Sequence, residues 1–461
     1  MKKLRSCFLL ILLMLAVAAF TACGQSTAPD AADSGSMTEA AADVQDNDAH
    51  AQALDAQATE GQPEEPDPIG RGTLPSLHIG LPASRIHRNN WNAATVSLRD
   101  AGDYSFAAVV AQVRGRGNST WRYMGEKRPL RIRFSDARPM FGSDYAARDW
   151  VLIANANDYS LMRNFAAHFL SSLLCSQDFA PAHRFVHLYL DGEYRGVYML
   201  SDQIQVHEGR VELTAHEDPA LSEYFLEWCR HPKAEGDVYF RVGEGNSPFE
   251  LPFPGNRYLT GAHIQWANNF MNEVDAAIRA MDFAAMEALV DMPSFVDMYL
   301  VHEFFKNADV GFSSMFFQIR QGPGGPRLYY GPFWDFDQTA GNTFTSGWYT
   351  DYSPQRMWAG FANHWLTSLV IMPETRALIA ERWEQLRDNE IAGMIAHLEY
   401  TALRYQECFE RNFVRWPNKL GNYLWRTPLT VQAIPTFMGQ VEYLTDWFRQ
   451  RSVWMDGFLL G

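Results

Sequence analysis

The chain has 461 residues, 14% of them aromatic, and a formal net charge of −15. That length allows a large core and more than one domain, and the acidic balance excludes a protein that grips nucleic acid through a basic surface. Three of the five cysteines, Cys175, Cys229 and Cys408, fall in the folded part without metal-ligand spacing. They exclude a disulfide framework and a cysteine zinc site, and read as buried small apolar residues.

Residues 1–23 read as a targeting segment: Lys2, Lys3 and Arg5 precede an apolar run over residues 8–20. That run is too short for a comfortable membrane span and has the order of a secretory signal. The ending Thr21-Ala22-Cys23 resembles a bacterial lipobox, which makes Cys23 the expected lipidation site, with plain signal cleavage as the alternative. The expected location is extracytoplasmic, at the cell surface, with the membrane as a partner through the lipid. Residues 24–72 follow as an expected disordered acidic linker, with eleven carboxylates and no Lys or Arg through residue 70. With so few large apolar side chains, ordering entropy is not offset. Setting aside residues 1–70 leaves a charge of about −7 on residues 71–461, ordinary for a globular domain.

In the folded part, short extended segments come first: 76–79, 109–115, 128–134, 150–153 and 186–190. Asp191-Gly192 between two apolar runs predicts a hairpin. One helix is expected over 161–174, with Asp158 or Ser160 at its start. Helices are expected over 267–279, 284–290 and 293–306. A hairpin is then read with strands 313–320 and 328–337, and helices again from 373 to the end. Strands first and helices second suggest an N-terminal lobe of about 73–255, a C-terminal lobe of about 256–461, and a cleft between them. Most of the 14 tryptophans lie in apolar patterns and read as core.

Three constellations carry chemistry. Arg114-Gly115-Arg116-Gly117-Asn118 puts two glycines and two arginines after a strand, which suits close approach to an anion. Lys127 lies ten residues on and is a natural phosphate contact, although a solvated basic strand face would look the same. Asn307 and Asp309 close a helix, either as turn residues or as chemistry. His302-Glu303 does not make a zinc helix, because position 306 is Lys. In Gly331-Pro332-Phe333-Trp334-Asp335-Phe336-Asp337 two carboxylates sit two apart in an apolar run. On a strand they would share a face and converge on one cation; otherwise one caps a turn and the other is solvated.

These motifs come in an order that resembles the spore coat protein H (CotH) kinase family. The resemblance runs through Arg114-Gly115-Arg116-Gly117-Asn118-Ser119-Thr120-Trp121, Lys127-Arg128-Pro129-Leu130-Arg131, Trp150-Val151-Leu152-Ile153-Ala154-Asn155 and Leu161-Met162-Arg163-Asn164. It continues through Tyr189-Leu190-Asp191-Gly192, Lys306-Asn307-Ala308-Asp309 and residues 331–337. It covers roughly residues 75–455. What it implies is an α+β, two-lobed atypical protein-kinase-like fold that uses ATP and Mg²⁺ or Mn²⁺ to phosphorylate Ser or Thr of a surface or spore-coat protein. On matching positions, Asp335 and Asp337 are the implied metal ligands and Asp309 the catalytic-loop acid. Arg114, Arg116 and Lys127 would face the nucleotide phosphates, and Asp202 sits where the family often has Glu. Glu227 survives in the segment Ser222-Glu223-Tyr224-Phe225-Leu226-Glu227-Trp228-Cys229, but the family's glycines and its following acid are absent. Two alternatives stand beside a kinase: a catalytically silent surface or coat binding protein, and a transferase of AMP.

Overall fold

The computed structural model describes residues 72–461, apart from 124, 141–142, 231–236, 256, 344–350 and 418–426. Cys23, the targeting segment and nearly all of the acidic linker lie outside the described residues. Seven strands close a barrel: β1 (Ser76–Ile79), β2 (Asn92–Arg99), β3 (Phe106–Gly115), β4 (Leu130–Arg138), β5 (Ala147–Ile153), β6 (His183–Leu190) and β7 (Glu193–Asp202), in the order β1-β2-β3-β4-β5-β7-β6. All pairs are antiparallel except β1 with β6, which closes the barrel. Residues alternate inward along each strand, so Val96, Leu98, Val113, Ile132, Trp150 and Leu188 fill the interior. The Asp191-Gly192 hairpin forms as the sequence predicts. Both residues have positive φ, 49° and 81°, as a two-residue type I′ turn requires.

Two helices interrupt the barrel strands, the short α1 (Ser119–Tyr123) and α2 (Arg163–Leu173). Asp158 and Ser160 both serve the start of α2. Asp158 Oδ2 accepts from the Arg163 amide at 2.9 Å, and Ser160 Oγ accepts from the Met162 amide at 3.2 Å. Cys175, just past this helix, is exposed rather than buried, whereas Cys229 and Cys408 are buried.

A second sheet has the order β12-β11-β8-β10-β9, from β8 (Tyr224–Trp228), β9 (Tyr239–Val242), β10 (Ser247–Phe253), β11 (Met315–Gly322) and β12 (Gly325–Tyr330). It takes strands from both sides of residue 255, with β8 pairing directly to β11. The helices α3 (Gly261–Ala280), α4 (Phe283–Leu289) and α5 (Met292–Phe305) separate those halves. The molecule is thus α+β, strand-rich in its first part and helical in its second, but a closed barrel and a shared sheet replace a simple succession of two halves. α5 is buried almost all round, and its apolar side chains join the largest core with Trp365, Trp383 and Phe448. The C-terminal part adds α6 (His364–Ile371), α7 (Pro373–Leu386), α8 (Ala392–Arg404), α9 (Gln406–Arg415), α10 (Leu429–Gln432) and α11 (Phe437–Leu459).

One expectation fails at a decisive place. The strand read over 328–337 stops at Tyr330. Gly331 has φ of 132°, and Pro332 has no N–H to give a ladder. A side chain at Gly331 would meet Gln177 Oε1 at 2.0 Å, so the chain can turn out of the sheet there only as glycine. Asp335 and Asp337 therefore share no strand face. They lie in a loop, and Asp335 has a left-handed φ of 68°.

Candidate active site

A cleft of about 1660 Å³ is lined by the barrel end of β3 and β4, by β8 and β10 of the second sheet, and by three loops. Those loops are the exit of β5 (residues 154–164), the α5–β11 connection (306–314) and the segment after β12 (331–342). Arg114, Arg116, Glu227, Asp309, Asp335 and Asp337 all line it.

The floor is acidic because two aromatic anchors hold the last loop. Phe333 and Phe336 are fully buried against His302, Tyr330 and Phe305, which leaves Trp334, Asp335 and Asp337 to the cleft. Backbone bonds then bring the neighbouring turn alongside: the Ala308 amide donates to Gln338 O at 3.1 Å, and the Ala340 amide to Phe305 O at 2.7 Å. Asp309 joins the two loop acids by this route, its own turn closed by its amide donating to Asn307 Oδ1 at 2.9 Å. Burial, then Asp335, then Asp309 push the Asp337 carboxyl well above the usual carboxylate range, against a hydrogen bond from Asn157. Ser314 Oγ donates to Asp335 Oδ2 at 3.1 Å.

A polar bracket from the β5 exit fixes this loop. Asn164 Oδ1 accepts from the Phe336 amide, between the two acids, at 2.8 Å, and Asn164 Nδ2 donates to Asn155 Oδ1 at 2.9 Å. Arg163, fully buried and paired with Asp158, donates to Thr339 O and Ala340 O at 3.0 Å each. Asn342 Nδ2 donates to both Asn157 O and Asp337 O at 2.8 Å. Beyond a helix start at Asp158 and a place in the family motifs for Asn155, Arg163 and Asn164, sequence reading gave these residues no task. Their signal was a run of Asn, Asp and Arg inside an otherwise buried segment, where each polar group needs a partner.

Arg116 faces the acids. Its guanidinium lies over Trp334, 5.4 Å from the ring centroid, and burial lowers its pKa to about 10 against the opposing pull of Asp335. Gly117 turns the chain there with φ of 85°, and a Cβ would meet Thr120 Oγ1 at 2.4 Å. Two expected contacts are placed elsewhere. Lys127 is buried behind the wall, donating from Nζ to Ala154 O at 2.7 Å beneath the Tyr198 ring. Asp202 is buried beside the cleft, accepting from Tyr145 Oη at 2.5 Å, the Ala182 amide at 2.8 Å and Arg210 Nε at 2.8 Å. Its neighbour Gln203 lines the cleft in its place. Glu227 lies directly opposite Glu250 across β8 and β10, with Phe225 stacked on Phe316 at 5.4 Å nearby.

The donor set fits a hard divalent cation of the Mg²⁺ kind. Two neighbouring carboxylates repel one another unless a cation answers them, and Mg²⁺ takes one or two carboxylates with water and phosphate oxygens completing the shell. Among the described residues no three His, Cys, Asp or Glu side chains converge closely enough to hold an ion by themselves.

The family model described as CotH kinase protein matches residues 113–455. The match begins in β3 and ends within α11, so it spans the whole acidic floor, the bracket and Arg116. No curated protein matches the chain.

Proposed function

Because the chain belongs to the CotH kinase family, we propose that it is an atypical protein kinase with a two-lobed, kinase-like working arrangement. The observation that carries this reading is the gathering of Asp309, Asp335 and Asp337 opposite Arg116 in one cleft. Phosphoryl transfer asks a protein for positioning and charge balance more than for covalent chemistry. Asp335 and Asp337 would hold Mg²⁺ or Mn²⁺, and when bound that ion supplies neutralisation of the phosphate oxygens. Arg116 and Arg114 would steady the phosphates, and the stacked Phe225 and Phe316 offer an apolar seat for adenine. Asp309 accepts the proton of a Ser or Thr hydroxyl. The hydroxyl oxygen bonds to the γ-phosphorus as the bond to the β–γ bridging oxygen breaks, and ADP leaves with that electron pair.

The further parts of the reading come from the sequence. The leader exports the chain, Cys23 carries lipid, and the acidic linker holds the folded part off the membrane, where its acceptor is a surface or coat protein. Among the described residues no helix is long and apolar enough to cross a membrane. The purified full chain, incubated with labelled ATP and Mn²⁺ or Mg²⁺, should transfer label to itself or to a Ser-rich carrier. Asp335→Ala should abolish the transfer. Intact mass separates the alternatives: about 80 Da is gained for phosphate and about 329 Da for AMP. No transfer together with no nucleotide binding would leave a silent binding protein. Cys23→Ala should move the chain out of the membrane fraction.

A further inference from the structure

Outward-facing residues of β3 and β4 are unusually basic. Val113, Leu130 and Ile132 point into the barrel, while Arg114, Arg131 and Arg133 take the alternate positions on its outside. Arg114 and Arg131 are direct cross-strand partners, a placement in which like charges weaken a sheet. All three guanidiniums lie over the ring of Trp91, at 4.9, 5.8 and 4.7 Å from its centroid. Arg88 adds a fourth charge that acts on Arg114. Asp149 is shared at 3.0 Å by Arg131 and Arg133. Arg114 Nε is buried and has no hydrogen-bond partner among the described residues.

Three guanidiniums that share one carboxylate, with Arg88 acting on the first of them, form a local surplus that an anion would relieve, on a chain of net charge −15. Guanidinium forks suit carboxylates and phosphates alike. The row starts inside the cleft, where Arg88, Arg114 and Arg131 form part of the lining, and continues beyond it to Arg133 and Trp91. Each two-residue stride along a strand covers about 6.6 Å, so Arg133 stands well away from Arg116 and the acids it faces. Arg88 and Trp91 also precede the region matched by the family model.

We propose that Arg88, Trp91 and Arg133 form a docking face for an acidic or already phosphorylated segment of the acceptor polypeptide, which presents a neighbouring Ser or Thr to Asp309. This rests on the kinase reading, and the test separates the two. Labelled peptides carrying one central Ser flanked by Glu, phosphoserine, Gln or Lys are titrated with the full chain, without nucleotide, and read by fluorescence anisotropy. The Glu and phosphoserine peptides should bind roughly tenfold tighter than the Gln peptide, and the gap should close as salt rises from about 50 to about 300 mM. The ratio of those two peptides tells carboxylate from phosphate as the favoured anion. Arg133→Glu, at the end of the face outside the cleft lining, should remove most of that advantage while Mn²⁺–ATP binding by calorimetry stays unchanged, which also shows that the variant is folded. Equal binding of the Lys peptide overturns the docking face, as does an Arg133→Glu variant that keeps the full preference for the acidic peptides. Acidic peptides that bind to a chain unable to transfer label sink the kinase reading and leave the face standing.

Discussion

Asn164 is the residue on which the placement of both loop acids turns, since it holds the amide between them. Asn164→Ala leaves the Phe336 amide and Asn155 Oδ1 without their partner, which costs about 1–3 kcal/mol for a buried group. The larger effect should fall on kcat: a loop displaced by about 1 Å loses on the order of 10²-fold in rate. KM for ATP should change far less, and steady-state kinetics beside a thermal melt would separate the two. Asp335→Ala should behave in the opposite way for stability. It removes a charge that repels Asp337, so in metal-free buffer the melting temperature should hold or rise by a few degrees while activity disappears. A fall in melting temperature would mean that the two carboxylates are not in conflict. Of the residues picked from the sequence, Asp335 and Asp337 could be found from composition, because paired acids in an aromatic run are costly without a purpose, whereas Asp309 at a helix end stood out only through the family resemblance. Lys127 and Asp202 looked the same in sequence but are absorbed by Ala154 and by Arg210. Nothing local distinguishes a cation that faces a ligand from one that caps a buried carbonyl.

At the scale of elements, α5 and α11 are joined through a buried ion pair. Arg451 Nη2 meets Glu303 Oε1 at 2.5 Å, and Glu303 also accepts from the Trp358 amide at 2.7 Å and the Gly360 amide at 3.2 Å. Arg451 Nη1 in turn donates to Pro354 O and Arg356 O. The pair thus ties residues 354–360 to the helix that ends just before Asp309. Arg451→Met should cost roughly 3–5 kcal/mol, because it strands Glu303 as a buried charge. Adding Glu303→Gln should recover part of that loss, since the buried charge is gone and the amide oxygen still serves the Trp358 amide while Gly360 loses its acceptor, and denaturant melts of the two variants would show it. The strand predicted over 328–337 failed at this same scale. Apolar residues continue through Phe333 and Phe336, but Gly331 and Pro332 break the ladder, and the aromatic pair, three residues apart, anchors a loop instead.

Across the whole molecule, burial holds several histidines neutral. His168 and His302 are lowered to about 3 and His187 to about 4, chiefly by desolvation. Unfolded histidine takes a proton near pH 6.5, so the stability these groups allow is fully present above that pH. As pH falls below it the unfolded chain binds protons that the folded chain refuses. Each buried histidine should then withdraw on the order of 1.4 kcal/mol per pH unit until its folded pKa is reached. Melting temperature should therefore drop steeply between pH 6.5 and about 4. His168 is the probe, because neither ring nitrogen has a hydrogen-bond partner among the described residues and its ring packs against other rings, stacked 5.0 Å from Trp334 and edge-on 5.5 Å from His183. His168→Phe should flatten the acid limb by one histidine's share, and an unchanged slope would exclude His168 as a contributor.

The sequence by itself determined the family, the acidic loop, the Asp191-Gly192 hairpin and most helices, because these depend on local order: turn residues, periodicity and short motifs read in succession. Only the tertiary structure decided that β1 closes a barrel on β6, since that contact joins segments a hundred residues apart and leaves no local trace. The same holds for β8 pairing with β11 across three helices, and for Asn164 reaching from the β5 exit to the amide of Phe336. Alternation tells a strand which face is apolar; it does not say which strand lies beside it, or which carbonyl a buried lysine will find.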